Sequence, residues 1–476
     1  MIKKLGGEKE EMKTKNKTLA LVEIVVVLCS LFLVTILPAT AIEQSQEMQK
    51  VGASEATTAS KDDFVLGVYG NANEDDTIDM RDLTYVKLIF FGKKPETELA
   101  DAKYDGKINP LDFIQIKLII VGKEKELTVV QYLGTPPDIT EEPITIDMPI
   151  ERIVTVSTYA CMALCALNAA DKIVGVSKYT KDVGEIAEFI RDKEDIGYID
   201  VEKVISLRPN IIITYTSFFK YYPQYKNPLI SAGIPVLLTD ISRPEKYERE
   251  IKVLGWLLGK QERAEELVNF EKRVYGIIDD RVSKIPESEK PNVGYTVVCP
   301  CPYPIVPLGT ASMHSKDTLP FIYWGGSGTA NHNEIIRCGG INAFGDIKGF
   351  KELDPEEVIK RDPDVIILQA YTGYAGAICG YNAENSDSLR EVRNIAMNLT
   401  GWNYITAVKN GDIYILCVVD AGGIHPCIRS AYIAKWLHPD RFKDLDPIKI
   451  HADWLNEFLG IPYKGVYAYP TPWTET

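Results

Sequence analysis

Oxygen-bearing side chains recur at fixed intervals in two short stretches, "NANEDDTIDMRDLTYVKLIFFGK" (71–93) and "DAKYDGKINPLDFIQIKLIIVGK" (101–123), which align in register. The first carries Asn71, Asn73, Asp75, Asp79 and Asp82, the second Asp101, Asp105, Asn109 and Asp112. A hard cation such as calcium takes about six to eight oxygens, and side chains this close in sequence supply them when a tight loop wraps the ion. The spacing is that of such a loop followed by one helix. Ile78 and Ile108 hold the central apolar position that ties the loop to a core, and Gly106 suits the sharp turn. Asp76 stands where the first loop would have that glycine, and Asp tolerates the left-handed conformation better than most residues. Lys103 replaces one oxygen of the second set, so the second loop is expected to bind calcium more weakly, or to use the lysine ammonium in place of part of the ion's charge.

A second group of residues points to an organic ligand. Tyr159, Tyr179, Tyr215, Phe218, Phe219, Tyr371 and Tyr374 follow apolar runs, and such rings suit a flat or catecholate-like molecule better than a bare ion. "GGSGTANH" (325–332) adds Ser327, Thr329 and His332 at an expected helix start, where backbone donors meet anions. His332 and His425 are the histidines placed to act as axial ligands. The eight cysteines beyond Cys29 are Cys161, Cys165, Cys299, Cys301, Cys338, Cys379, Cys417 and Cys427. They lack the paired CxxC spacing of a strong metal site, which favours structural thiols or disulfides of unassigned pairing over a soft-metal site.

The elements that must position these residues are legible from a repeat. "DVEKVISLRPNIIITY" (200–215) and "DPEEVIKRDPDVIILQ" (354–369) each read as a helix that starts at an N-cap aspartate, carries acid in its first turn and stops at proline before a buried strand. Two such halves of a βαβ unit imply two α/β lobes, each with a parallel sheet. Between them Ala264, Leu267, Val268, Val274, Ile278 and Val282 recur at helical spacing, predicting one long helix over 262–285. The expected organisation is a small all-α calcium module at 66–125, a Pro- and Thr-rich acidic linker at 126–149, and a domain at 150–470. Within that domain lobe 1 covers about 150–260 and lobe 2 about 290–470. Residues 1–41, with lysines before an apolar run and "ATA" (39–41) after it, read as a signal peptide or an N-terminal membrane anchor, so the chain is expected to be exported. A net charge of −14 over 476 residues argues against a nucleic-acid partner.

The 66–125 region resembles a dockerin, a duplicated calcium module that plugs into cohesin domains. The resemblance implies a cohesin-bearing surface protein as partner. Residues 150–470 resemble the helical-backbone solute-binding proteins of ABC importers for ferric siderophores, haem and cobalamin, through "ERIVTVS" (151–157), the paired repeat, "GGIN" (339–342), "GWNYITAVKNGDIYIL" (401–416) and "YIAKWLHPDRF" (432–442). That resemblance implies two α/β lobes joined by one helix, and a ferric chelate, haem or cobalamin held between them. It further implies a permease dimer as partner, met by one glutamate on each lobe: Glu202 and Glu356, with Glu357 as a neighbour of the second. Two other readings compete: a dockerin-bearing carbohydrate-active enzyme, and a ligand-free surface protein. Against an enzyme, the strand ends show no nucleophile elbow and no matched acid pair, so no catalytic residue is nominated.

Overall fold

A computed structural model describes residues 64–135, 138–299, 321–370, 379–417 and 425–474. The expected leader or anchor at 1–41 lies outside these residues, as do Tyr371 and Tyr374. Among the described residues no helix is long and apolar enough to cross a membrane. The chain divides into two compact units at Lys123/Glu124.

In the first unit the two copies of the loop-helix pattern give helices α1 (Met80–Phe90) and α2 (Pro110–Ile120). Both begin with a reciprocal capping box, Asp79 with Asp82 and Asn109 with Asp112. Their cores match position by position: Ala72 and Ala102, Val86 and Ile116, and Ile89 and Ile119 are buried pairs thirty residues apart. One expectation is corrected. The left-handed residues shared by the two loops are Glu74 (φ 54°) and Tyr104 (φ 50°), while Gly106 (φ 81°) has no left-handed counterpart at Asp76.

The second unit contains both lobes. Lobe 1 is built on a five-stranded sheet in the order β5-β4-β3-β6-β7, from β3 (Ile153–Thr155), β4 (Ile173–Val176), β5 (Glu194–Asp195), β6 (Ile211–Tyr215) and β7 (Val236–Thr239). All its pairings are parallel. Among the described residues lobe 2 has seven strands: β8 (Asn292–Cys299), β9 (Phe321–Gly325), β10 (Ile341–Asn342), β11 (Phe350–Glu352), β12 (Val365–Ala370), β13 (Ile413–Cys417) and β14 (Ala468–Tyr469). Its centre, β8-β12-β13, is parallel as expected, but β9 runs antiparallel to β8, and β14 antiparallel to β13. The sheet is therefore mixed. The long helix between the lobes, α7 (Gln261–Val282), follows α6 (Pro244–Leu258) and buries the face carrying Ala264, Leu267, Val268, Val274 and Ile278.

The repeated sentence builds the same device twice. Helix α4 (Val201–Ser206) leads to β6, and α9 (Pro355–Arg361) leads to β12. Each copy turns through a left-handed residue before its proline, Arg208 (φ 47°) and Asp362 (φ 40°). An Asn or Asp then fastens the new strand to the first strand of its lobe. Asn210 accepts from the Glu151 and Arg152 N–H groups at 2.9 and 2.8 Å, and Asp364 accepts from the Asn292 N–H at 2.8 Å. The copies differ at the cap, because Asp200 accepts from the Lys203 N–H while Asp354 makes no side-chain cap bond.

The expected linker is corrected. Residues 126–135 and 138–147 pair as an antiparallel hairpin, β1 (Glu126–Thr135) and β2 (Asp138–Asp147), in register from Glu126 with Asp147 to Thr135 with Asp138. Alternation buries Leu127 and Val129, and Leu133 packs on the lobe-1 core. Gln131 Oε1 accepts from the Leu238 N–H at 2.9 Å, covering the outer edge of β7. Arg249 on α6 clamps the hairpin through Tyr132 and, at 2.7 Å, Glu141. The acidic, Thr-rich composition that suggests a linker is the solvent side of this hairpin. Among cysteines, Cys379 and Cys417 form a disulfide, whereas Cys161, Cys165, Cys338 and Cys427 are buried thiols. Gln131→Ala should leave the buried Leu238 N–H without an acceptor and cost about 1–3 kcal/mol in urea unfolding of the second unit.

Candidate functional site: a cleft between the lobes

A cavity of about 540 Å³ opens between the lobes. Lobe 1 lines it with residues just past the carboxyl ends of three strands: Ser157 and Tyr159 after β3, Tyr215 to Ser217 with Lys220 and Tyr221 around the end of β6, and Thr239 to Arg243 after β7. This is where open α/β sheets present ligand groups. Lobe 2 contributes Gly328 and Thr329, at the start of helix α8 (Ala330–Arg337), and Lys348, Gly349 and Phe350 leading into β11. The wall there is close-packed backbone: the Gly326 N–H reaches the Gly349 carbonyl at 2.9 Å and the Ser327 N–H the Ile347 carbonyl at 2.7 Å. A Cβ on Gly326 would lie 2.1 Å from the Ile347 carbonyl oxygen, so only glycine fits.

The lining mixes hydroxyl groups with apolar surface and carries three basic side chains, Lys220, Arg243 and Lys348, drawn from both lobes. Arg243 Nε pairs with Asp240 at 2.6 Å. Burial raises the Asp240 carboxyl above its ordinary range, and Arg243 pulls it back. Asp240 is anchored in turn, its N–H donating to Glu250 at 2.6 Å. Behind the cleft Arg429, on α10 (Pro426–Leu437), contacts Glu334 on α8 and donates to the Ser242 carbonyl at 3.2 Å, so one buried guanidinium touches both lobes.

Of the residues the sequence nominated, Tyr159, Tyr215 and Thr329 line the cavity. Tyr215 is oriented by a 2.7 Å hydroxyl contact with Tyr198. Tyr371 and Tyr374 fall outside the described residues, and the remaining described ones lie elsewhere. Phe218 is fully buried in the lobe-1 core and stacks on Tyr225, because the chain turns back into a helix immediately after β6. Tyr179 packs edge-on to Tyr198 outside the cavity lining. Ser327 Oγ is spent on the Ile347 carbonyl at 2.8 Å, and His332 Nδ1 meets Asn342 Nδ2 at 3.0 Å, so both brace the lobe-2 wall. His425 is not a surface ligand: it is fully buried, its ring centroid 3.6 Å from that of Trp454 and 5.7 Å from that of His451. Sequence reasoning missed all three basic groups. The strand-end rule could have found Lys220 and Arg243, which sit within five residues of the ends of β6 and β7; nothing in the sequence marks Lys348.

Glu202 and Glu356 are both exposed and have no ion-pair partner among the described residues, whereas Glu357 is engaged by Arg361 at 3.0 Å. In the first unit, taken by itself, Asp82 is fully buried and accepts from the Asn73 and Asp79 N–H groups at 3.1 and 2.7 Å. Burial pushes its carboxyl up to about 6. Asp112 repeats this with Lys103 and Asn109 at 2.9 and 2.7 Å. Arg81 sits between Asp75 and Asp79, 2.9 Å from each. Among the described residues no three His, Cys, Asp or Glu side chains converge to hold a metal.

Residues 153–295 match the family described as periplasmic binding protein. The chain is 25% identical over 313 residues to the uncharacterized ABC transporter substrate-binding lipoprotein YvrC of Bacillus subtilis, covering 64% of this chain and 86% of that protein. It is 21% identical to the molybdate-binding protein MolA of Haemophilus influenzae, over 69% and 91% of the two. Among solved structures, the TroA-like periplasmic binding protein FepB of Veillonella parvula superposes with a TM-score of 0.54 at 23% identity, covering 68% of this chain and 96% of that one. MolA with bound molybdate gives 0.52 at 19%, covering 68% and 97%. The lobes have the periplasmic-binding-protein fold.

These relatives are substrate-binding transport proteins and not enzymes. Within this periplasmic-binding-protein fold the buried His425 and His451 set an acid limit. Burial holds His425 well below its ordinary range and brings His451 down to about 3. Below about pH 6.5 the unfolded chain takes up protons that the native imidazoles refuse, so native stability should fall as pH drops from there toward 3. The slope should be roughly 1.4 kcal/mol per pH unit for each imidazole that stays neutral. Urea titrations at pH 7, 6 and 5 should show this loss, and His451→Phe should lessen it.

Proposed function

We propose that the second unit is the substrate-binding component of an ABC importer, capturing one metal complex, an iron siderophore, haem or cobalamin, between its lobes. The observation that carries the ligand reading is the convergence of Lys220, Arg243 and Lys348 from two lobes on a hydroxyl-rich cavity. Such cations in a concave, half-desolvated site attract negative charge, while Tyr159 and Tyr215 offer ring faces to an organic chelator. Among these ligands the cations favour a catecholate or carboxylate siderophore complex over neutral cobalamin. Molybdate, bound by MolA, is the small-anion alternative that the same cations and the start of α8 would suit. Titration with a ferric catecholate siderophore, haem, cobalamin and molybdate, followed by intrinsic fluorescence and melting temperature, separates these outcomes. Lys348→Met should weaken the anionic ligand roughly tenfold, about 1.4 kcal/mol, and flatten its salt dependence. Silence of all four compounds would overturn the reading.

The docking partner on this reading is a permease dimer, met by Glu202 and Glu356. The first unit is a dockerin-like calcium module that would attach the receptor to a cohesin-bearing surface protein and keep it near its importer. Its two in-register repeats support this. Asn71, Asn73, Asp75, Asp79 and Asp82 would hold one calcium, and Asp101, Asp105, Asn109 and Asp112 a weaker second. The buried Asp82 carboxylate is short of countercharge, and Arg81 occupies the cation's role between Asp75 and Asp79, so calcium must displace Arg81. Calorimetry of the full chain should show a calcium-dependent transition, more sensitive to Asp82→Ala or Asp75→Ala than to Asp105→Ala. Arg81→Gln should raise calcium affinity, and a first unit whose melting ignores calcium would remove this reading.

A further inference from the structure

The two unpartnered glutamates do not stand alone on their faces. Helices α4 and α9 begin at the carboxyl ends of their sheets. Strand β5, before α4, is parallel to β4; strand β11, before α9, is antiparallel to β9, which is itself antiparallel to β8, so β11 runs with β8. The Glu202 end of lobe 1 is therefore the end from which the cavity is lined.

One turn after Glu202, on the same helical face, Ile205 is 41% exposed. The repeat places Ile359 at the matching position after Glu356, but there a turn containing Gly401, Trp402 and Tyr404 packs on the helix and Ile359 is half-buried. A Cβ on Gly401 would meet the Ile359 side chain at 3.1 Å, and Gly401 is left-handed (φ 82°). That turn carries its own apolar group outward: Tyr404 is 64% exposed. Exposed apolar side chains scattered singly are ordinary. Here one lies on the helix of Glu202, and on lobe 2 one lies on the turn packed against the helix of Glu356, where the repeat's own isoleucine is half-buried.

We propose that Ile205 and Tyr404 are apolar anchors for the importer's membrane-embedded dimer, each accompanying the carboxylate of its lobe, which pairs with a basic group of one permease subunit. This rests on the transport reading above and names the contact by which it would work. Free carboxylates select a basic receptor and speed encounter, and an apolar side chain buried from the same lobe supplies much of the holding energy. Two such sites on one chain call for a partner that offers the same receptor twice, as a two-fold dimer does.

The test is photocross-linking in the native host with the full chain, placing benzoylphenylalanine singly at Ile205, Tyr404, Glu202, Glu356 and, on the linking helix, the exposed Ile277. Adducts at 205 and 404 to an ABC-importer membrane subunit, identified by mass spectrometry, with none at 277, are expected. In the same cells Ile205→Ser and Tyr404→Ser should each reduce the adduct formed from position 202 or 356 roughly tenfold. Adducts from 202 and 356 but none from 205 and 404 would overturn the anchors and leave the transport reading standing. No adduct to an importer subunit from any of the four would overturn both.

Discussion

Arg429 is the residue on which the geometry of the cleft depends. Its guanidinium is buried against Glu334 and reaches the Ser242 carbonyl, which belongs to the segment that leaves β7 and carries Arg243 into the cavity. A buried ion pair costs desolvation on both sides, and losing one partner strands the other charge in the interior. Burial pushes the Glu334 carboxyl up, and the Arg429 guanidinium in contact with it pulls it back down. Because Arg429 lies on α10, Glu334 on α8 and Ser242 at the end of lobe 1, this polar junction joins the two cavity walls, together with the Asn333–Glu245 hydrogen bond and the apolar face of α7.

That junction explains why the cavity can carry three cations near one another. Arg243 is neutralised locally by Asp240, which is supported by Glu250, so its charge is oriented without being left unpaired. Lys220 and Lys348 come from opposite walls. A ligand bearing negative charge would then bridge the lobes, adding to the Arg429 contact instead of competing with it. The same economy appears at the wall made by Gly326 and Ile347, where backbone hydrogen bonds replace side chains and leave the Thr329 end of α8 open to the cavity.

In the N-terminal unit, charge is handled by a different device. Each loop folds its last acid inward, Asp82 and Asp112, onto two backbone N–H groups, which fixes the loop against the first turn of its helix. Two other acids of the first loop, Asp75 and Asp79, face Arg81. Lys103 has no equivalent in the first loop, so the two copies share a backbone while differing in the charge they gather.

The sequence by itself determined what local periodicity controls: the loop-helix duplication with its capping acids, the buried strands β6 and β12, the long helix α7 and the two-lobe architecture. These are visible because capping, apolar spacing and proline act over a few residues. Several things only the tertiary structure decided. The stretch at 126–147 has a linker's composition on its outer side but becomes a hairpin because the edge of β7 needs covering, a demand made by residues more than a hundred positions away. Phe218 and His425 look like ligands by residue type, yet burial is a property of what packs on them, Tyr225 in one case and Trp454 in the other. Lys348 lies at no strand end, and it reaches the cavity because the Gly326 and Gly349 backbones bond across the lobe-2 wall. A site shared by two lobes is a sum over distant segments, and no short stretch of chain contains it.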